Sequence, residues 1–289
     1  MTAEQAVPVR TVSGQYRALF VDGMAEYMRL YAHGRTLPWS KDRDGSPGWL
    51  GMPAGKRVHH LTAMPFEPDA AALARIDAMR ASISASIPAP RDRRRRPRWS
   101  EEAGDDICID RLRSGMPPWR ETVRQVTTGP THITIVSNLG AHCGVEAEGL
   151  GWTPAASLLL ADLLESNGYR VRLLAVESAL RAFSTDPENI LLGLRVKDYG
   201  EPMSIQGLSV TATPWFFRGI TLAVHDAMGR PQGGYGCTRP VTAAQVEEVI
   251  GEPGATVHVM RKPDYHNQAE AVEIAREALR AIFPGQDVT

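Results

Sequence analysis

From residue 131 onward the sequence predicts an α/β fold built on a doubly wound, mainly parallel sheet. Three observations carry that expectation. Ile133–Val136 is an apolar run that enters a glycine-rich loop, an amphipathic stretch follows, and Tyr169–Val176 is apolar again. That order is a βαβ unit. Apolar runs then alternate with helical periodicity as far as residue 283, the pattern of helices layered on a parallel sheet. The helix boundaries also carry capping residues at the right spacings. Because Ile133–Val136 is apolar on successive residues, it is expected inside the sheet, covered on both faces.

The elements follow in order. Gly14–Tyr31 places Tyr16, Leu19, Phe20, Met24, Tyr27, Met28 and Tyr31 at the spacing of one helix face. Residues 34–56 are rich in Gly, Pro and Trp and read as an irregular loop anchored by Trp39 and Trp49. Leu73, Ile76, Met79 and Ile83 predict a helix over Ala70–Ile87, ended by Pro88 and Pro90. Arg91–Arg98 holds six arginines and precedes the acidic run Glu101–Asp110. The two runs together read as a charged connector.

Beyond the first strand, Thr153-Pro154 predicts an N-cap and a first-turn proline. Leu159, Leu160, Leu163 and Leu164 share one side of that helix, and Asn167-Gly168 ends it. Ile190–Val196 predicts a third strand. Thr213-Pro214 opens a helix through Trp215, Phe216, Phe217, Ile220 and Val224. Thr242-x-x-Gln245 forms a capping box before Val246–Ile250. Ala255–Met260 is a late strand, and Asn267-x-x-Glu270 caps a closing helix that buries Ala271, Ile274, Ala275, Ala278 and Leu279. The resulting division is a helical, irregular extension over 1–90, a connector over 91–130 and the α/β domain over 131–289.

Composition bounds the function. The apolar share of 43% supplies a core. A net charge of -1 argues against general attraction to nucleic acid or to a membrane surface. No run approaches the roughly 18 apolar residues of a spanning helix, and the first ten residues lack a signal-peptide pattern. Cys108, Cys143 and Cys237 are odd in number and widely spaced, so no disulfide framework or metal-binding CxxC pair is expected. A reducing cytoplasm fits that usage.

The candidate site is the loop after the first strand, because open parallel sheets hold ligands beyond the carboxyl ends of their strands. Ser137, Asn138, Gly140, His142, Glu146 and Glu148 fall there. Cys143 beside His142 lacks a third group to orient a base, so no catalytic residue is assigned. Gly51–Arg57 has short glycine spacing and no magnesium-binding hydroxyl, unlike a phosphate loop. Adjacent His59 and His60 diverge on any regular element and make poor chelators. His225, next to Val224, reads as a residue at the edge of the core. Arg93, Arg94, Arg95 and Arg96 are the candidate nucleic-acid contacts, with only weak, salt-sensitive binding expected.

The order of strand, polar loop, helix, strand and closing C-terminal helix resembles a von Willebrand factor A domain. That family starts its metal site with Asp-x-Ser-x-Ser. The matching stretch here is Asn138-Leu139-Gly140-Ala141-His142, without the carboxylate or the serines. A carboxylate is needed to offset a cation's charge and desolvation, so no metal and no cofactor are assigned. The chain more closely resembles A-domain-like proteins of phages and prophages. Arg93–Arg96, Asp106–Arg111, Ile133–Val176, Lys197–Pro202 and Pro214–Arg218 carry that likeness, in that order. It implies a fold and a genomic neighbourhood. The first functional expectation is a non-enzymatic module that presents loops 137–153 and about 198–203 to a protein partner, with an ATPase as one partner class by fold analogy. The alternatives are a small-molecule or nucleotide-binding enzyme using the 137–153 crevice, and a nucleic-acid accessory protein using Arg91–Arg98.

Overall fold

The computed structural model describes residues 10–12, 16–37, 46–87, 97–102, 104, 106–122, 132–142, 144–180, 189–228, 241–250, 256–261 and 266–284. In chain order the strands and helices are β1 (Arg10–Val12), β2 (Tyr16–Val21), α1 (Met24–Thr36), α2 (Pro47–Leu50), α3 (Ala70–Ser84), β3 (Pro97–Ser100), β4 (Asp106–Ile107), α4 (Ile109–Arg113), β5 (Trp119–Thr122), β6 (His132–Asn138), α5 (Ala147–Leu150), α6 (Trp152–Ser166), β7 (Arg170–Leu180), β8 (Asn189–Lys197), α7 (Ile205–Leu208), α8 (Leu222–Ala227), α9 (Ala243–Ile250), β9 (Thr256–Val259) and α10 (Gln268–Ile282). Short 3-10 turns cover Val58–Thr62, Met64–Phe66 and Ser209–Ala212. Phe216–Thr221 winds as a π-helix that runs into α8. Among the described residues no helix is long and apolar enough to cross a membrane.

Six strands form one mixed sheet in the order β1-β2-β8-β7-β6-β9. β6 pairs in parallel with both β7 and β9, and its residues from Ile133 to Asn138 are buried, the polar Thr134, Ser137 and Asn138 with the apolar Ile133, Ile135 and Val136, as expected of a strand covered on both faces. The sheet is less parallel than expected. β7 and β8 run antiparallel, and so do β1 and β2. The antiparallel β8 sends residues 198–203 to the amino end of β6 and β7, away from 137–153. The two segments expected to act together therefore lie at opposite ends of the sheet.

The N-terminal third also departs from expectation. Gly14–Tyr31 does not form one helix, because Tyr16–Val21 is a strand paired in parallel with β8. Gly23, at φ 104°, then turns the chain into α1, a conformation that costs glycine little. Long-range pairing overrides a helical spacing here. Leu19 and Val21 join one core while Ala18 faces another, the period-two alternation of a strand. Residues 1–90 are thus not merely a helical extension: they complete the sheet.

Side chains on one face of β6 and β7 (Ile133, Ile135, Val171 and Leu173) pack under α3, α6 and α10. Beside them Leu19, Val21, Ala175, Ile190, Leu192 and Leu194 pack under α1, the π-helix and α8. On the opposite face Ala18, Val136, Leu174, Val176 and Leu191 meet α9. Most of the caps behave as read. Thr242 and Gln245 bond reciprocally, at 2.9 and 3.3 Å. Asn267 Oδ1 accepts from Glu270 N at 3.0 Å, and Gly168 takes a positive φ just past α6. Asp69 caps α3 by accepting from Ala72 N at 2.9 Å. Thr153, expected as the N-cap of α6, lies inside its first turn instead, with Gly151 at the cap.

The chain divides into two compact units, residues 1–88 with 130–289, and residues 89–129. In place of a bare connector, the second unit holds a small antiparallel sheet in the order β3-β5-β4. Arg111 lies over the Trp99 ring at 4.3 Å and donates to the Pro117 carbonyl at 3.0 Å. Arg93–Arg96 lie outside the described residues, as do Trp39, Cys143 and Cys237.

Candidate functional site

The strand order reverses at β6. From β6 the chain proceeds to its neighbour β7 and then to β8, and later returns to β9 on the other flank of β6. At such a switch point the loops leaving two adjacent parallel strands diverge and leave a crevice at the carboxyl edge. Here that crevice is a cleft of about 430 Å³. Glu146 lines it from the loop after β6, Glu148 from α5 and Trp152 from the start of α6, and His266, Asn267 and Gln268 line it from the segment after β9.

Glycines set this geometry. A Cβ on Gly149 would stand 2.6 Å from His266 Cβ and 2.9 Å from the His266 carbonyl oxygen. Only a residue without a side chain lets the two rims approach so closely. A Cβ on Gly151 would meet the Ala212 carbonyl oxygen and Arg75 Nη1, each at 2.8 Å. Arg75 lies over the Trp152 ring at 5.8 Å, and its Nη2 donates to the Glu148 carbonyl at 3.4 Å. Burial pulls the Arg75 guanidinium below its ordinary pKa, against the opposing pull of Asp69 and Glu148.

The floor of the loop is held from the other side by Arg218, in the π-helix. Arg218 is 4% exposed. It stacks on the Trp49 ring at 4.5 Å and donates to the carbonyls of Trp49, at 2.5 Å, and Val145. One buried cation therefore ties α2 to the loop that carries Glu146. π-helical turns recur at functional sites, and this one places a cation where loop carbonyls need a donor.

The loop residues separate into two groups. Glu146 and Glu148 are exposed on the cleft rim. Ser137 and Asn138 are buried. Asn138 Oδ1 accepts from Gly140 N at 3.0 Å, closing a local turn and turning this oxygen inward. His142 is exposed and its Nδ1 accepts from Gly144 N at 3.1 Å, so it shapes the loop away from the cleft lining. Trp152 and His266 complete the cleft and were not singled out from sequence. The late strand before an N-capped helix placed residues 261–267 at a carboxyl end, and that was the signal available for His266.

A second arrangement lies deeper. Glu177, near the carboxyl end of β7, lies in close contact with His225 on α8, both side chains fully buried. His225 is thus not at the edge of the core but inside it. Tyr27 is buried beside them and its hydroxyl bonds to Thr221 Oγ1 at 2.9 Å. Burial drives the Tyr27 phenol far above its usual pKa, the Thr221 bond opposes this, and the nearby Glu177 charge adds to it. Ser137 Oγ and both Glu177 carboxylate oxygens make no hydrogen bond among the described residues. No group of three or more His, Cys, Asp or Glu residues is placed to hold a metal ion among the described residues.

At the other end of the sheet, Lys197 is buried and its Nζ donates to Glu165 Oε1 at 2.5 Å and to the carbonyls of Val171 and Asp198 at 2.8 and 2.9 Å. Burial raises the Asp198 pKa, but Arg172, the Tyr199 N–H and Arg195 outweigh it and hold the carboxyl below its usual value. The Lys197–Pro202 segment is accordingly a structural clasp.

The fold and this edge cleft define a mixed α/β protein that presents an acidic crevice at the switch point of its sheet. The chain belongs to the family described as Domain of unknown function (DUF7192), whose model matches residues 9–280. That match runs from β1 into α10, so the N-terminal strands belong to the family's unit. No curated protein and no solved structure matches the chain.

Proposed function

We propose that this chain is a non-enzymatic protein-interaction module on a doubly wound, von Willebrand A-like sheet, of the phage and prophage type, and that the switch-point cleft is its docking site. The observation that carries the reading is the pair of exposed carboxylates, Glu146 and Glu148, on the rim of a cleft walled by Trp152 and Val145. Carboxylates beside an apolar wall suit a lysine or arginine, whose aliphatic stem lies on the ring while its charge meets the acids. The partner is therefore a protein with a basic segment. An ATPase is the partner class that fold analogy suggests. The sequence of β6, polar loop, α6 and β7, closed by α10, supports the A-like reading.

The test is affinity capture from the native host with the parent chain and with Glu146→Lys/Glu148→Lys, each partner being identified and quantified. Both positions are exposed, so the variant keeps its fold within about 0.5 kcal/mol per site. A partner held by the parent and lost from the charge-reversed variant is the expected result. Undiminished recovery would remove the cleft from the interface.

The enzymatic alternative has one observation in its favour, a carboxylate and an imidazole placed together at a carboxyl edge, Glu177 and His225, since such edges are where α/β sheets hold ligands. Both side chains are fully enclosed, which closes them to a substrate in this conformation and leaves the interaction reading first.

A further inference from the structure

We propose that α4 and its flanks, in the 89–129 unit, form a dimerisation surface on which a second copy of this chain packs its own α4 antiparallel. Phe66 apart, every large apolar side chain exposed among the described residues lies on this short stretch: Ile107, Ile109, Leu112 and Met116. Their exposures run from 37% to 51%. Among the described residues of the unit, Pro118 alone is buried. A small sheet with one short helix needs an apolar face covered to be stable. Here the apolar side chains point outward, as those of an interaction surface do.

The face is held in place before any partner arrives. Cys108 N donates to the Pro118 carbonyl at 2.9 Å, fixing the start of α4 against the entry to β5. Arg111 stacks on Trp99 of β3 and bonds the Pro117 carbonyl, so it marks the side of α4 turned to the small sheet. Gly115, at φ 67°, closes the helix. Its N–H bonds the Leu112 carbonyl at 3.1 Å, and the Met116 N–H bonds the Arg111 carbonyl at 3.0 Å. This paired closure returns Met116 to the last turn. At about 100° per residue, Ile109 and Arg113 fall on the side away from Arg111, with Leu112 along one edge and Asp110 along the other.

That arrangement selects the occupant. The outward face has an apolar edge, Ile109 and Leu112, beside a charged edge, Asp110 and Arg113, and all four residues are exposed. Two copies related by a two-fold axis, with their helices antiparallel, lay apolar edge on apolar edge. The same rotation sets Asp110 of each copy opposite Arg113 of the other. A parallel pairing would lay the charged edge on the apolar one, at a cost in desolvation. The surface is thus self-complementary in apolar content and in charge. The patch is small beside the roughly 800 Å² per partner of a stable interface, so a dimer of micromolar strength is expected.

Sedimentation velocity of the full chain over about 1–100 µM tests the assignment, with a monomer–dimer equilibrium expected. Leu112→Glu should abolish the dimer. Asp110→Arg and Arg113→Asp set like charges opposite each other, and each alone should weaken the dimer about ten-fold or more. An equimolar mixture of these two variants should restore it, because each charge then meets its opposite. All three positions are exposed, so melting temperatures should stay near the parent's. If Leu112→Glu lowers its own, Met116→Glu takes its place, and loss of the dimer is again expected. A parent chain that stays monomeric throughout overturns the proposal. So does a dimer that the Leu112 or Met116 variant leaves unchanged. A mixture that dimerises no better than its components overturns the antiparallel pairing.

Discussion

Glu177 and His225 show what single residues do in this protein. Each is a polar group in a core, and each lies against the other there. His225→Leu should therefore destabilise the fold by about 3–5 kcal/mol, because it strands a buried carboxylate, whereas Glu177→Leu/His225→Leu should recover much of that loss. Urea denaturation of the three proteins reads both quantities. A cost below about 1 kcal/mol for the single change would mean that the pair does not stabilise the core. His258, on β9, gives a pH prediction. Its burial disfavours the imidazolium and lowers its pKa from 6.5. The folded state thus binds this proton less readily than the unfolded chain. The stability that His258 contributes is complete above the ordinary imidazole value and is lost as pH falls through the lowered one. His258→Gln should flatten the stability profile below neutrality, and a variant with the parent's pH slope there would refute the assignment. Neither residue advertised itself in the sequence. A lone Glu in an apolar strand and a lone His on a helix carry no spacing signal, and their pairing joins positions 48 residues apart.

At the scale of elements, α1 and α8 approach most closely where α1 has no side chain. A Cβ on Gly34 would stand 1.9 Å from the Ala223 carbonyl oxygen. Gly34→Ala must push the two helices apart, and we expect it to cost about 1–3 kcal/mol, as overpacking does. This exceeds the gain that alanine brings to a helix interior, about 1 kcal/mol. A lowered melting temperature is the expected readout. A raised one would show that α1 shifts without penalty. The same region shows why part of the element map was hidden. Gly14–Tyr31 fits a helix by spacing, yet β8 captures Tyr16–Val21 as a strand. Intrinsic preference is weak enough for such pairing to override. Where a cap is local, as at Thr242–Gln245 or Asn267–Glu270, sequence reading succeeded, because the bond closes within four residues.

For the whole molecule, the division of the chain is the main structural lesson. A fragment of residues 131–289 would lack β2 and α1, and with them Leu19, Val21, Tyr27, Leu30 and Tyr31 of the core that also holds Leu192 and Trp215. It would also bare the edge of β8, an open template for aggregation. We expect that fragment to show no cooperative thermal transition, while a chain retaining residues 9–284 melts cooperatively. Calorimetry and circular dichroism on both would decide, and a cooperatively folded 131–289 fragment would restore the boundary that the sequence suggests.

The sequence by itself determined the alternation of strands and helices after residue 131, the interior position of Ile133–Val136, and the caps at Asn267 and Thr242. These depend on hydrophobic period and on hydrogen bonds between near neighbours, both carried by short windows of sequence. It also indicated the loop that reaches the cleft, since Glu146 and Glu148 follow a buried parallel strand. Tertiary structure alone decided the antiparallel course of β8, the entry of β2 into the sheet, the place of Trp152 and His266 in the cleft, and the Glu177–His225 pair. Those depend on contacts between distant segments. Such contacts form only once the sheet has fixed its strand order and register, and no local window of residues encodes that choice.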